Sequence, residues 1–194
     1  MAQRALFLNS VLAAWLFCIS CGAATNNVAL KSWNADSLLL ENRNGIMYTN
    51  NTPFSGKVFQ LGTNNKDTLL IVAYYNGKEH DEWKRFYANG QLQELRYFDN
   101  GIKTKTLARW WQNGKQQFTC TFKDGEYEGV LQEWNANGQL IQQMHYVNGH
   151  EEGSQKMYYD NGKIRSNYIV KDGKRIGLLG TKNCVNASDS IFKK

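Results

Sequence analysis

Residues 124–149 read DGEYEGVLQEWNANGQLIQQMHYVNG, and this stretch decides the fold. An Asp-Gly or Asn-Gly dipeptide stands at each end and in the middle, with glycines at Gly125, Gly138 and Gly149. Asp and Asn tolerate left-handed backbone, and glycine adopts a positive φ without steric cost, so each dipeptide predicts a chain reversal. The segments between the reversals have the length of a β-strand. The stretch therefore predicts a β-hairpin.

The same dipeptides recur along most of the chain. Their glycines are Gly77, Gly90, Gly101, Gly114, Gly125, Gly138, Gly149, Gly162 and Gly173. The spacings alternate between 13 and 11 residues, which defines a unit of 24 residues seen four times. A content of 17 Gly, 1 Pro and 13% aromatic residues also favours strands and tight turns over helices. The predicted fold class is all-β, an elongated antiparallel sheet of successive hairpins built from 24-residue repeats.

The repeat divides the chain into five segments. The four-unit array covers residues 77–177, and residues 45–76 read as a degenerate first unit that contains the stretch PFSGKV at 53–58. Residues 1–20 form a predicted signal peptide, 21–44 a tether and lead-in, and 178–194 a C-terminal tail. Reversals followed by a second glycine four residues later, such as Gly125 with Gly129, are predicted to be wider loops than the others, and so are the equivalent reversals at Gly77 and Gly101, where Asp81 and Lys105 replace the second glycine.

The strands alternate between apolar and polar residues. Phe118, Cys120 and Phe122 occupy every second position of one strand, with polar residues between them. A period of two indicates one buried and one solvated face, and it predicts that Cys120 is a buried structural cysteine.

An aromatic residue precedes every second reversal by four positions, in the column Phe86, Trp110, Trp134 and Tyr158. A two-residue turn would leave this column outside, whereas a three-residue loop with left-handed Gly90 pairs Phe86 with Leu92 and buries it. Burial of large aromatic side chains favours the second geometry. The next residues, Tyr87, Trp111 and Tyr159, then line the solvent face as a possible binding stripe.

The N-terminus predicts export. Arg4 is followed by an apolar run over residues 5–19, which is too short to span a bilayer but suits a signal peptide. The run ends in Ser20-Cys21-Gly22, which resembles a bacterial lipobox and predicts lipid attachment at Cys21, although Cys18 replaces the usual leucine. The alternative is cleavage after Ala24 and a periplasmic or secreted protein. Neither product is predicted to carry a membrane-spanning helix.

No residue pattern predicts catalysis or a cofactor. His80, His145 and His150 lack the spacing of metal ligands, and nucleophile, phosphate-binding and zinc motifs are absent from the sequence. We therefore expect no catalytic residues, no metal and no cofactor. A disulfide between Cys120 and Cys184 is possible in an oxidising compartment. The net charge of +6 is explained by a solvated basic surface, with attraction to anionic lipid or cell-wall polymer as the alternative, and no nucleic-acid-reading motif accompanies it.

The repeat resembles the MORN-variant repeats of the bacterial YwqK-type family, often labelled antitoxin components. Residues 46–177 carry the resemblance through the opening at 53–58, Tyr74-Tyr75-Asn76-Gly77, the aromatic segment at 83–87 and the loop at 148–153. The resemblance implies an elongated sheet of hairpins used for protein or lipid contacts. The antitoxin label implies a cytoplasmic partner, which conflicts with the predicted export.

The function predicted from the sequence is therefore binding without catalysis. The chain is expected to be an exported, lipid-anchored repeat module that binds a protein partner in the cell envelope. Carbohydrate or peptidoglycan binding is one alternative, because repeats rich in aromatic residues and glycine also occur in cell-wall-binding modules. An antitoxin-like neutralising protein is the other, and it requires an uncleaved N-terminus.

Overall fold

The computed structural model describes residues 30–63 and 66–180. Within them, strands form one sheet of thirteen strands and one of three, and a single turn of 3-10 helix covers Ala35–Ser37. The first six strands are β1 (Ser32–Asn34), β2 (Glu41–Arg43), β3 (Ile46–Thr49), β4 (Thr52–Pro53), β5 (Gly56–Leu61) and β6 (Thr68–Tyr75). The others are β7 (Lys78–Phe86), β8 (Leu92–Asp99), β9 (Ile102–Trp110), β10 (Gln116–Lys123), β11 (Glu126–Trp134), β12 (Leu140–Val147), β13 (His150–Glu151), β14 (Gly153–Tyr158), β15 (Ile164–Lys171) and β16 (Lys174–Leu178).

The large sheet is a run of antiparallel hairpins, so the predicted all-β repeat fold is confirmed. From β5 to β12 each strand pairs with the next strand of the sequence, and β14, β15 and β16 continue the order. The short strand β13 also pairs with β12. The sheet stays open and does not close into a barrel. Each unit therefore rests mainly on its two neighbours, as in other repeat proteins.

The reversals predicted to be wider loops are two-residue turns, which corrects that prediction. At the first of them Tyr75 pairs directly with Lys78, and Asn76 and Gly77 both have positive φ, at 49° and 78°. Two successive left-handed residues make a type I′ turn, whose twist matches that of the flanking strands. The glycine four residues later lies inside the strand instead, where Gly129 and Gly153 also have positive φ.

The other reversals are three-residue loops, as predicted. Phe86 pairs with Leu92, the Gly90 N–H donates to the Tyr87 carbonyl at 2.9 Å, and Gly90 has a φ of 80°. The next pair is Arg85 with Glu94, so β8 has one residue more than β7 between the two pairs. The same shift follows the equivalent loops at Trp110, Trp134 and Tyr158.

This extra residue corrects the predicted burial of the aromatic column. It moves the register by one position, so Trp83 and Leu131, three residues before the column, face the core at 8% and 6% exposure. The column itself, Phe86, Trp110, Trp134 and Tyr158, is only half-buried. A one-residue shift moves side chains to the opposite face because the side-chain period of a strand is two.

One side of the large sheet, here called the core face, carries most of the buried side chains. Its buried apolar members are Val58, Val72, Trp83, Phe98, Phe118, Cys120, Phe122, Leu131, Met144, Tyr168 and Val170. Seven of them, from Phe118 to Val170, form one cluster across the C-terminal half of the array. A second cluster joins Val72, Trp83 and Phe98. Burial of apolar area across neighbouring units thus stabilises a sheet that has a single layer of strands.

The N-terminal residues cover the first edge of the array, and the sequence did not predict this arrangement. Strand β1 pairs with β5 in parallel, with Trp33 opposite Val58. Strands β2, β3 and β4 form the small sheet, which is hydrogen-bonded to the type I′ turn at Asn76-Gly77. The Gly77 N–H donates to the Phe54 carbonyl at 2.7 Å, and the Gly77 carbonyl accepts the Met47 N–H at 2.8 Å. The region predicted as a lead-in therefore contributes β1 to the large sheet and β2 to the small sheet.

The thiol of Cys120 is expected to be inert while the protein is folded. The side chain is 2% exposed, and burial raises the pKa of the Cys120 thiol to about 11. Because the thiolate is the reactive form, only about one folded molecule in a thousand carries it at pH 8. In a chain with the other three cysteines replaced by serine, labelling with a disulfide reagent should be at least about a hundredfold slower when folded than in denaturant. Equal labelling rates would contradict this burial.

Three of the sequence predictions lie outside the described residues: the signal peptide at 1–20, the lipid attachment at Cys21 and the pairing of Cys120 with Cys184. Over residues 30–63 and 66–180, no helix has the length and apolar character needed to cross a membrane.

Candidate functional site

The predicted stripe lies where the three-residue loops begin. Tyr87 and Trp111 are half-buried, and Tyr159 is 41% exposed. The Tyr87 hydroxyl donates to the Trp110 carbonyl at 2.9 Å, and the Trp111 Nε1–H donates to the Trp134 carbonyl at 3.0 Å. Two of the three rings are thus fixed to the next unit of the array, while Tyr159 stands at the start of the last three-residue loop.

Polar side chains at the tips of the same loops also form hydrogen bonds to the next unit. Asn113 donates through Nδ2 to the Ala136 carbonyl at 2.9 Å, and Lys115 donates through Nζ to the Asn137 carbonyl at 2.8 Å. The opposite ends of the strands are joined as well, because the Gly101 N–H donates to the Glu79 carbonyl at 2.7 Å. The loops and turns of successive units therefore form two hydrogen-bonded rows along the sheet, and the stripe belongs to one of them.

A cluster of charges on the core face was not predicted from the sequence. Arg85 and Arg109 are the direct cross-strand neighbours of Glu94, on β7 and β9 respectively. Arg96, two residues after Glu94 on the same face, donates to the Glu94 Oε1 through Nε at 2.8 Å, and its Nη2 lies 2.8 Å from the same oxygen. This charged cluster of Arg85, Glu94, Arg96 and Arg109 lies beside the buried rings of Trp83 and Phe118. The four charged residues are visible in the sequence, but only the one-residue register shift places them on the same face of the sheet.

A cleft separates the small sheet from the first turns of the array. It has a volume of about 500 Å³ and is lined by amide, aromatic and charged side chains, among them Asn42, Asn44, Tyr74, Glu79 and Asn100. Glu79 is half-buried, and this burial raises the pKa of its carboxyl despite the nearby cations. Burial also raises the pKa of the Tyr74 hydroxyl, with a further contribution from Glu79. The cleft can therefore offer hydrogen-bond donors, acceptors and one aromatic ring to a polar ligand.

The histidines do not come together. His80 lies 3.4 Å from Asp99 through Nδ1, His145 lies on β12, and His150 is exposed on β13. In the part of the chain that the structure describes, no three His, Cys, Asp or Glu residues are placed to hold a metal ion. The candidate sites are therefore surfaces and a cleft made by repeated hairpins.

The family described as MORN repeat variant matches three segments, residues 82–100, 127–148 and 151–172. Each match spans a strand, a three-residue loop and the strand that follows. The three segments are similar to MORN repeats. The hairpin of β9 and β10 lies between the first two matches, and its loop has the same bonds as the MORN repeats, with the Gly114 N–H donating to the Trp111 carbonyl at 2.8 Å. No curated protein matches the chain.

MORN repeats commonly mediate protein or membrane interactions and are generally binding modules without catalysis. The repeated hairpins of this chain are compatible with such a module. The MORN repeats also account for the two hydrogen-bonded rows, because identical spacing places equivalent donors and acceptors in successive units.

Proposed function

We propose that the protein is a binding module without catalysis, exported and anchored by a lipid on Cys21, that holds a protein partner in the cell envelope. The observation that carries the binding proposal is the fixed orientation of Tyr87 and Trp111 by bonds to the next unit. Aromatic side chains are enriched among interface hot spots, and a ring that is already immobile loses little entropy on binding. Tyr159 extends the stripe with an exposed ring.

Truncation of the stripe tests partner binding. The triple variant Tyr87→Ala, Trp111→Ala, Tyr159→Ala should lose its partner in pull-downs from envelope extracts, with an affinity loss of about thirtyfold or more. A matched triple, Tyr75→Ala, Ile102→Ala, Val130→Ala, removes exposed apolar side chains elsewhere and should keep the partner. Tyr87→Phe removes only the hydroxyl bond, so it separates loss of stability from loss of the ring. Retention of the partner by the stripe variant would disprove the proposed surface.

Fractionation tests the anchor. Cys21→Ala should move the protein from the membrane fraction to the soluble fraction, because stable anchoring needs two or more acyl chains. Mass spectrometry of the mature N-terminus provides the second readout. A chain that begins at Thr25, or a variant that stays with the membrane, would contradict lipid attachment and leave the periplasmic or secreted alternative.

Binding of a cell-wall saccharide is the second candidate function, and the cleft between the small sheet and the array favours it. Amide side chains such as Asn42 and Asn100 donate and accept hydrogen bonds as sugar hydroxyls do, and Tyr74 adds an aromatic surface. Sedimentation with isolated peptidoglycan that depends on Asn42 and Asn100, but not on the stripe, would favour this function over protein binding.

A further inference from the structure

The charged cluster on the core face has more positive than negative charge. Arg85, Glu94 and Arg109 lie in one row across β7, β8 and β9, since each pair is in direct cross-strand register. Arg96 and Trp83 form the adjacent row. Directly paired residues of antiparallel strands project to the same side of the sheet, so three guanidinium groups share one face with a single carboxylate.

Only one of these cations is neutralised inside the cluster. Arg96 donates through Nε to Glu94, whose side chain is nearly buried, and forms an ion pair with it. No carboxylate of the described residues lies within 4.0 Å of the Arg85 or Arg109 guanidinium group. The cluster therefore retains two uncompensated positive charges on the side of the sheet where the core lies.

The unpaired guanidinium groups are held in place by rings. The Arg109 guanidinium lies 4.4 Å from the centre of the Phe118 ring, and its buried Nε has no hydrogen-bond partner among the described residues. Arg85 and Arg96 lie 5.1 and 4.6 Å from the centre of the Trp83 ring. A guanidinium group that lies over an aromatic face keeps the N–H groups in its own plane free for an acceptor.

We infer that this cluster binds a side-chain carboxylate from an acidic segment of the protein partner, an inference that rests on the proposed binding function. The guanidinium fork matches the two oxygens of a carboxylate, and within the cluster Arg96 already donates through Nε to one oxygen of Glu94. Glu94 lies between Arg85 and Arg109 and carries a negative charge of its own. The anionic side chains of a protein partner are carboxylates, so a carboxylate is the acceptor that fits the proposed function.

Direct binding to a defined acidic peptide tests the inference. The full chain is titrated into fluorescently labelled octaglutamate, with octalysine as the opposite-charge control, and anisotropy is measured. The double variant Arg85→Gln, Arg109→Gln should weaken octaglutamate binding about tenfold or more. The matched double variant Lys123→Gln, Lys171→Gln removes two exposed charges elsewhere and should change it less than about twofold. Because Arg109 is half-buried, Arg85→Gln alone supplies a second variant at an exposed position.

Each outcome decides the inference. Selective loss in both arginine variants, with unchanged circular dichroism, supports it. Unchanged binding in these variants, or an equal loss in the lysine variant, overturns it in favour of diffuse charge attraction. Binding to phosphatidylglycerol vesicles or inorganic phosphate but not to octaglutamate also overturns it. The proposed function fails separately, when the stripe variant keeps its envelope partner whatever the arginine variants do.

Discussion

Leu131→Ala is expected to lower the free energy of unfolding by about 3 kcal/mol, because it opens a cavity in the largest core cluster. Leu131 is 6% exposed and pairs with Met144, which is 2% exposed. Neighbouring units share this cluster, so its surroundings cannot collapse without moving two strands. Urea denaturation followed by circular dichroism at constant protein concentration measures the change.

Val130→Ala is the matched control for Leu131→Ala. Val130 is the preceding residue, points to the other face and is 44% exposed, so its truncation should cost well under 1 kcal/mol. Equal losses at positions 130 and 131, or a larger loss at 130, would contradict the observed register of β11.

Gly77→Ala should destabilise the protein by about 3 kcal/mol, since it combines two costs. Gly77 has a φ of 78°, which an alanine adopts with strain. A Cβ there would also overlap Ile46 Cγ2 and lie 2.8 Å from the Met47 carbonyl oxygen, so the small sheet has to move. Hydrogen exchange should show the Met47 amide losing protection before the rest of the array.

Gly101→Ala isolates the backbone cost in the equivalent turn of the next unit. Gly101 has a φ of 84°, and the nearest atom to an added Cβ is the flexible Lys78 side chain at 3.8 Å. We expect a loss of about 1 kcal/mol from conformational strain alone. If Gly77→Ala and Gly101→Ala lowered the free energy of unfolding by the same amount, the contact between the small sheet and the turn at Gly77 would contribute nothing measurable to stability.

The turns were predictable from the sequence because their chemistry is local. Asn-Gly and Asp-Gly specify left-handed backbone wherever they occur, so their spacing alone predicted the strands and the repeat. The type of each turn was harder to predict from the sequence than its position. Gly129 suggested a wide loop, but it occupies a positive-φ position within β11. A glycine marks the need for positive φ but does not indicate whether the residue lies in a loop or in a strand.

It was harder to predict from the sequence which side of the sheet each residue faces after a three-residue loop. The pairing of Phe86 with Leu92 was inferred correctly, but one extra residue on β8 then aligns Trp83 with Arg96 and places both on the core face. Such a bulge has no sequence signal as strong as Asn-Gly. The fully buried Gln155 illustrates the difficulty, since its amide bonds the His145 backbone in a core position that pattern alone assigns to an apolar residue. The charged cluster depends on the same shift.

The order in which this chain acquires structure follows from the short span of its connections. The bond from Gly101 to Glu79 joins residues 22 positions apart, and the bond from Met47 to Gly77 spans 30. Antiparallel neighbours in the sheet are neighbours in sequence, so closing each contact requires only a short loop. A nascent chain can thus complete its N-terminal edge once residue 77 is available and then add hairpins one at a time. Vectorial assembly of this kind leaves only the newest strand unpaired at any moment, which limits the time for pairing with other chains.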